Sequence, residues 1–353
     1  MRTFWDDRQR LHAPRFEFFN GGLHPAAEHP GRVDAILAAI GPAEAPRDHG
    51  EAPLLRVHSR DYLDFLKAAH ADWRAAGRSG DAIPYTFPIV HRRPLDLSRI
   101  DGRLGRYVYD TSTPIAEGTW TASYWAAQTA LSGLDAVLDG ARAAFALCRP
   151  PGHHCGKDYA GGYSYLSNAA IAAEAAVDAG KRVAIPDIDY HHGNGTQDVF
   201  YARSDVFFAS IHADPKTDYP FYWGHADETG EGAGEGTTLN LPLPRGTGLA
   251  EFERALDQAL EGIATFAPDL LIVSYGADTF EGDPISFFKL KTSDYAGLGR
   301  RIANAGYPTL IVMEGGYAVE ALGANVAGLL SGFDQSCGPQ LRSATDQSGD
   351  NHG

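Results

Sequence analysis

The chain has 353 residues, 44% hydrophobic and 21% charged, which excludes a disordered or fibrous chain and fits one large globular domain or two ordinary ones. Its 45 acidic residues outnumber 30 basic ones, a formal net charge of −15. That sign disfavours nucleic acid and anionic membrane as partners and suits the steering of a cationic or neutral small molecule.

The three cysteines, Cys148, Cys155 and Cys337, are an odd number and argue against a disulfide framework. No run approaches the ~18 apolar residues of a membrane span, and the charged start MRTFWDDRQR carries no secretory core, so the expected location is the cytoplasm.

The regular pattern begins near residue 116. Ala, Trp, Tyr and Leu at helical spacing predict a helix over 117–140, followed by an apolar strand over 143–148 that ends at Arg149-Pro150-Pro151-Gly152. An alanine-rich helix is expected over 168–179, closed by Gly180. Strands at 182–189, 206–212, 237–243, 270–275 and 309–313 alternate with helices at 196–201, 250–266, 294–305 and 319–330. Phe252, Leu256, Leu260 and Ile263 share one face of the helix at 250–266.

Strands apolar on both faces and separated by helices predict an α/β fold, with a mostly parallel central sheet covered by helices on both faces. Residues 77–115, rich in Pro, Arg and Gly, look like a long loop outside this pattern, and 334–353 like a flexible tail. One domain is expected over 1–333.

In parallel sheets ligands bind beyond the carboxyl ends of the strands, and the polar clusters of this chain follow strands. Asp187-Ile188-Asp189-Tyr190-His191-His192-Gly193-Asn194 follows the strand at 182–189. Alternate residues of an extended chain point the same way, so Asp189 and His191 can converge on one metal ion. Asp-x-His alone fits polar loop caps equally well, but Asp278, ending a second strand, offers a third ligand. Two carboxylates, an imidazole and an open position suit a catalytic zinc or iron.

His153 and His154 end a third strand, as a solvated turn or as general base and acid beside such a site. Glu314-Gly315-Gly316-Tyr317 ends a fourth, where the Gly pair admits a close backbone approach and Tyr317 can offer its O–H to an oxyanion. The segment GEGAGEG at 230–236 precedes a strand and is no dinucleotide fingerprint. No P-loop or G-x-S-x-G motif is present.

In this order and spacing, RPPGHH, DIDYHHGNGTQD, SYGADTFEGDP and MEGGY, with His29-Pro30-Gly31-Arg32 near the start, resemble the zinc-dependent histone deacetylase and acetylpolyamine amidohydrolase family of the arginase–deacetylase fold. The likeness runs over about residues 1 to 333 and is closest to the bacterial acetylpolyamine amidohydrolases.

The resemblance implies one zinc ion per subunit on Asp189, His191 and Asp278. It makes His154 the general base and acid, His153 its electrostatic partner, and Tyr317 the donor to the carbonyl oxygen. Asp187 and Asn194 orient the two histidines, and a structural potassium ion lies near Asp187, Asp189, His191 and Ser210. Tyr163 and Tyr219 correspond to the aromatic walls of a substrate tunnel. A homodimer is implied, with the 77–115 loop narrowing a neighbouring tunnel. Gly193 and Phe280 stand where the two-manganese arginase branch has carboxylates, which favours a single metal.

One position departs from the pattern. Of two acidic residues that acetylpolyamine enzymes carry on the long loop, the first matches Asp101, but the second falls on Ser112, with Asp110 the nearest carboxylate. The expected activity is deacylation of small N-acylated amines such as acetylpolyamines. Neutral or xenobiotic amides, acetyl-lysine, and a non-catalytic acyl-binding role are the alternatives.

Overall fold

Alternate residues of the central strands enter two separate hydrophobic cores, so both faces of the sheet are buried. The computed structural model describes residues 1–89 and 96–336. Its elements in chain order are β1 (Arg2–Phe4), β2 (Phe16–Phe19), β3 (Gly22–Pro25), α1 (Gly31–Ile40), α2 (Leu54–Val57), α3 (Arg60–Ala75), α4 (Ile100–Tyr107) and α5 (Thr119–Leu138). Then follow β4 (Ala143–Ala146), α6 (Asn168–Asp178), β5 (Val183–Asp187), α7 (Asn194–Phe200), β6 (Val206–Ala213), β7 (Thr238–Leu243), α8 (Leu249–Phe266), β8 (Leu270–Tyr275), α9 (Tyr295–Asn304), β9 (Thr309–Met313) and α10 (Val319–Ser336).

Seven strands form one sheet in the order β1-β4-β9-β8-β5-β6-β7, and every pair in it is parallel. Ala144, Ile185, Ile272 and Leu310 face a core built with α5 and α6. Phe145, Ala184, Leu271 and Ile311 face a second core built with α1, α8, α9 and α10. Helix α10 can sit close on two neighbours because a Cβ at Gly323 would meet the carbonyl oxygen of Ala35, and one at Gly332 that of Ala296.

Two expectations change, and one element is new. The last helix runs to Ser336, so 334–336 are helical, while 337–353 and Cys337 lie outside the described residues. The 77–115 segment is not loop throughout: it contains α4, and reciprocal backbone hydrogen bonds of 2.9 Å between Ala82 and Ile115 close its base. The edge strand β1, three residues in a charged stretch, had no sequence signal and is held by parallel pairing with β4. No helix among the described residues is long and apolar enough to cross a membrane.

Candidate active site

Four parallel strands, β4, β5, β8 and β9, deliver their polar clusters to one place. Side-chain ligand atoms of Asp189, His191 and Asp278 all lie within 4.8 Å of one another. His191 Nδ1 is 3.1 Å from Asp278 Oδ2 and 3.4 Å from Asp189 Oδ1. Both carboxylates are fully buried. Backbone donors aim them: Gly315 N–H donates to Asp189 Oδ2 at 2.9 Å and Tyr190 N–H to Asp278 Oδ1 at 2.9 Å. Glycine is required beside them, because a Cβ at Gly276 or Gly315 would collide with Asp189 and Asp278 oxygens.

Electrostatics also suit a cation. Burial and the charge of Asp189 push Asp278 up to about 7. Burial opposes the charge of Asp189 too, but His153 and His191 outweigh it and hold that carboxyl below its usual range. Two buried carboxylates converging on one imidazole, with room kept by glycines, form an O, N, O donor set that fits a divalent metal.

The adjacent histidines have different partners. His153 Nδ1–H donates to Asp187 Oδ2 at 2.9 Å, and His154 Nδ1–H to the Asn194 side-chain oxygen at 2.7 Å. Burial disfavours charge on both. The carboxylates of Asp187 and Asp189 reverse this at His153 and lift it to about 10. His154 has only an amide partner and lies beside the charges of His153 and His191, so it is pushed well below its usual value. One member of the pair is thus held charged and the other neutral, leaving His154 Nε2 as a basic lone pair.

Glu314 ties this turn to β9. Its Oε2 accepts N–H bonds from Gly152 at 2.6 Å and His153 at 3.1 Å. Burial lifts it to about 7, although the charge of His153 pulls the other way. Tyr317 is fixed by its backbone N–H, which donates to Asp283 Oδ2 at 2.7 Å. The guanidinium of Arg32 lies 4.9 Å from the Tyr317 ring centre and donates to the carbonyls of Gly316 and Glu314 at 2.7 and 2.6 Å. Burial keeps the Tyr317 phenol protonated, far above its ordinary titration.

Tyr163 meets Tyr317 edge-on at 5.5 Å between ring centres, and Tyr219 meets His154 at 5.1 Å and His191 at 6.1 Å. Both tyrosines therefore border the cluster. Ser210 is the register partner of Asp187 across β5 and β6, and its hydroxyl lies 2.9 Å from His212 Nδ1.

Asp101 stands apart. It sits in the first turn of α4, paired with Arg78 and, at 2.9 Å, with Arg99, and neither arginine belongs to the cluster. Asp110 is the carboxylate at the wall: its Oδ2 accepts the Tyr219 hydroxyl at 2.8 Å and Gly162 N–H at 2.7 Å, while its Oδ1 accepts Ser112 N–H at 3.1 Å. Glu28 and Glu17 carry no motif signal, because lone acids outside an apolar run read as solvated surface; Asp283 lies within the SYGADTFEGDP block, but nothing in that pattern marks it as the anchor of Tyr317.

Residues 25–333 match the family described as the histone deacetylase domain. The chain is 51% identical over 343 residues to acetylpolyamine amidohydrolase 1 of Pseudomonas aeruginosa, covering 95% of this chain and 99% of that protein. It is 47% identical over 338 residues to the acetylpolyamine amidohydrolase of Mycoplana ramosa, covering 94% and 99%. A crystal structure of the acetylpolyamine aminohydrolase of Burkholderia pseudomallei superposes with a TM-score of 0.92 at 43% identity, over 95% of this chain and 99% of that one.

Proposed function

The chain belongs to the histone deacetylase family and is an enzyme of it, and from that membership we propose that it hydrolyses the amide bond of small N-acetylated amines, acetylpolyamines among them. The observation that carries this reading is the convergence of three ligand side chains with a histidine pair whose partners hold one imidazole charged and the other neutral.

Asp189, His191 and Asp278 are the residues to hold zinc. When bound there, the ion supplies a Lewis acid that polarises the amide carbonyl and makes water acidic enough to lose a proton near neutral pH. Neutral His154 takes a proton from the attacking water at Nε2, since Nδ1–H is committed to Asn194. It then delivers that proton to the amine nitrogen as the C–N bond breaks. His153, held charged by Asp187, stabilises the negative charge that develops beside it. Tyr317 donates its phenolic O–H to the carbonyl oxygen as that oxygen becomes anionic, and Tyr163 and Tyr219 flank the substrate and exclude water.

A potassium ion near Asp187, Asp189, His191 and Ser210 belongs to the same reading, supported by the direct pairing of Asp187 with Ser210. So does a homodimer built on the 77–115 segment, supported by Tyr85, Phe87 and Ile89 standing exposed on it. The cytoplasmic location is supported by the buried thiols of Cys148 and Cys155.

Tyr317→Phe removes one oxyanion donor and is expected to lower kcat on acetylputrescine by about 10²–10³ while KM changes little. The check is steady-state release of the free amine by the zinc-loaded enzyme. An unchanged kcat would remove Tyr317 from the reaction.

A further inference from the structure

The Asn194 amide has two orientations open to it, and only one leaves His154 a base. A side-chain amide accepts at Oδ1 and donates at Nδ2. With Oδ1 toward His154, the ring carries its proton at Nδ1 and keeps a lone pair at Nε2. With the amide turned over, Nδ2 would donate to the ring at Nδ1 and the proton would move to Nε2. Asn194 Oδ1 stands 2.7 Å from His154 Nδ1, which is the first arrangement.

Tyr109 selects that arrangement. Its hydroxyl donates to Asn194 Oδ1 at 3.4 Å. The Tyr219 O–H is shared between the Tyr109 oxygen and Asp110 Oδ2, so the Tyr109 oxygen already accepts and its one proton is left for Asn194. Burial keeps the Tyr109 phenol protonated, far above its ordinary titration. A turned amide would bring Nδ2, a donor, against this donor. Asn194 Nδ2 instead donates to the His154 carbonyl at 3.5 Å, so both ends of the amide agree.

The Tyr109 ring is clamped in place. Its backbone N–H donates to the Ala160 carbonyl at 3.0 Å, and Ala160 N–H donates to the Tyr107 carbonyl at 2.7 Å, which ties the end of α4 to the loop after the histidine turn. A Cβ at Gly161 would strike the Tyr109 ring, so glycine is what lets the ring lie there. Tyr219 stacks on the ring at 6.1 Å between centres, Tyr159 meets it edge-on at 5.6 Å, and Trp223 lies at 5.7 Å.

Resting on the deacylase reading above, we propose that Tyr109 is a positioning residue for the reaction: through the Asn194 amide it fixes His154 as the Nδ1–H tautomer and keeps Nε2 free as the base. The segment after α4 therefore acts on proton transfer as well as lining the cleft. An aspartate in place of Asn194 has two accepting oxygens and nothing to turn over, so the Tyr109 hydroxyl should matter only while residue 194 is an amide.

The test is a double-mutant cycle on the zinc-loaded enzyme with N-acetylputrescine. Tyr109→Phe, which removes only the hydroxyl, is expected to lower kcat by about 3- to 10-fold with KM little changed. In an Asn194→Asp background the same substitution should lower kcat by less than about twofold. Equal losses in the two backgrounds, or a change confined to KM, would overturn the positioning role. The second readout is the 15N signals of the His154 ring, assigned by their absence from His154→Ala. They should show protonated Nδ1 and bare Nε2 in the wild type and a mixture of tautomers in Tyr109→Phe. An unchanged tautomer in Tyr109→Phe would also overturn the proposal. The ring signals decide the tautomer claim even if the wild type released no amine, an outcome that would sink the deacylase reading by itself.

Discussion

His154→Ala is expected to lower kcat on an acetylated diamine by about 10²–10⁴ and to change KM far less. The neutral imidazole is the site's proton carrier because the Asn194 carbonyl fixes its tautomer, while burial and the neighbouring charge of His153 disfavour a charge on it. His153 cannot substitute, since Asp187 holds its Nδ1–H and two carboxylates keep the ring protonated through neutral pH. Steady-state kinetics of amine release on metal-loaded enzyme reads the effect. A loss smaller than tenfold would assign the proton transfers to another group.

The second large effect is on stability. Glu28, 1% exposed, lies 2.9 Å from Arg32 Nη1 and 2.8 Å from Arg149 Nε, and both arginines are as buried as the acid. Burial opposes the charge on Glu28, and the two guanidiniums outweigh it and keep the acid ionised. Glu28→Gln strands two buried cations and is expected to cost about 3–5 kcal/mol. That is a large part of the ~5–15 kcal/mol by which a folded protein is stable. A fall in the urea midpoint checks it. Arg149 also reaches the carbonyls of Gln9 and His12, so the loss should loosen the N-terminal segment as well as the β4 turn. A midpoint unchanged from wild type would contradict the triad's role.

The contrast between that triad and the histidine cluster shows what can be read in the sequence. Strands β4, β5, β6, β8 and β9 are legible because each is a short apolar run ending in a polar burst, and parallel pairing puts those bursts at one edge. Asp189, His191, Asp278, His153, His154 and Tyr317 were accessible for that reason. Glu28 and Glu17 were not, because an isolated acid in an unpatterned stretch looks solvated until the fold buries it. Asp101 shows the opposite case: its place in the chain matches an ammonium-reading acid, while within this chain it pairs with Arg78 and Arg99, contacts between distant positions that no local pattern displays. The edge strand β1 was invisible because three residues cannot display a period, and only pairing with β4 makes them a strand. Helix α4 starts without a side-chain cap and carries two glycines, so neither its start nor its composition marks a helix.

The most direct test of the central claim is metal content and amine release measured together, on wild type and on Asp278→Asn, before and after dialysis against a chelator. The account predicts that the wild type loses its metal and its hydrolysis of acetylputrescine together, and recovers hydrolysis when a single equivalent of zinc is restored. Asp278→Asn should bind zinc much more weakly and stay inactive at that stoichiometry. Undiminished hydrolysis by metal-free wild type, or full zinc binding and activity in Asp278→Asn, would contradict the assignment of Asp189, His191 and Asp278 as the catalytic metal site.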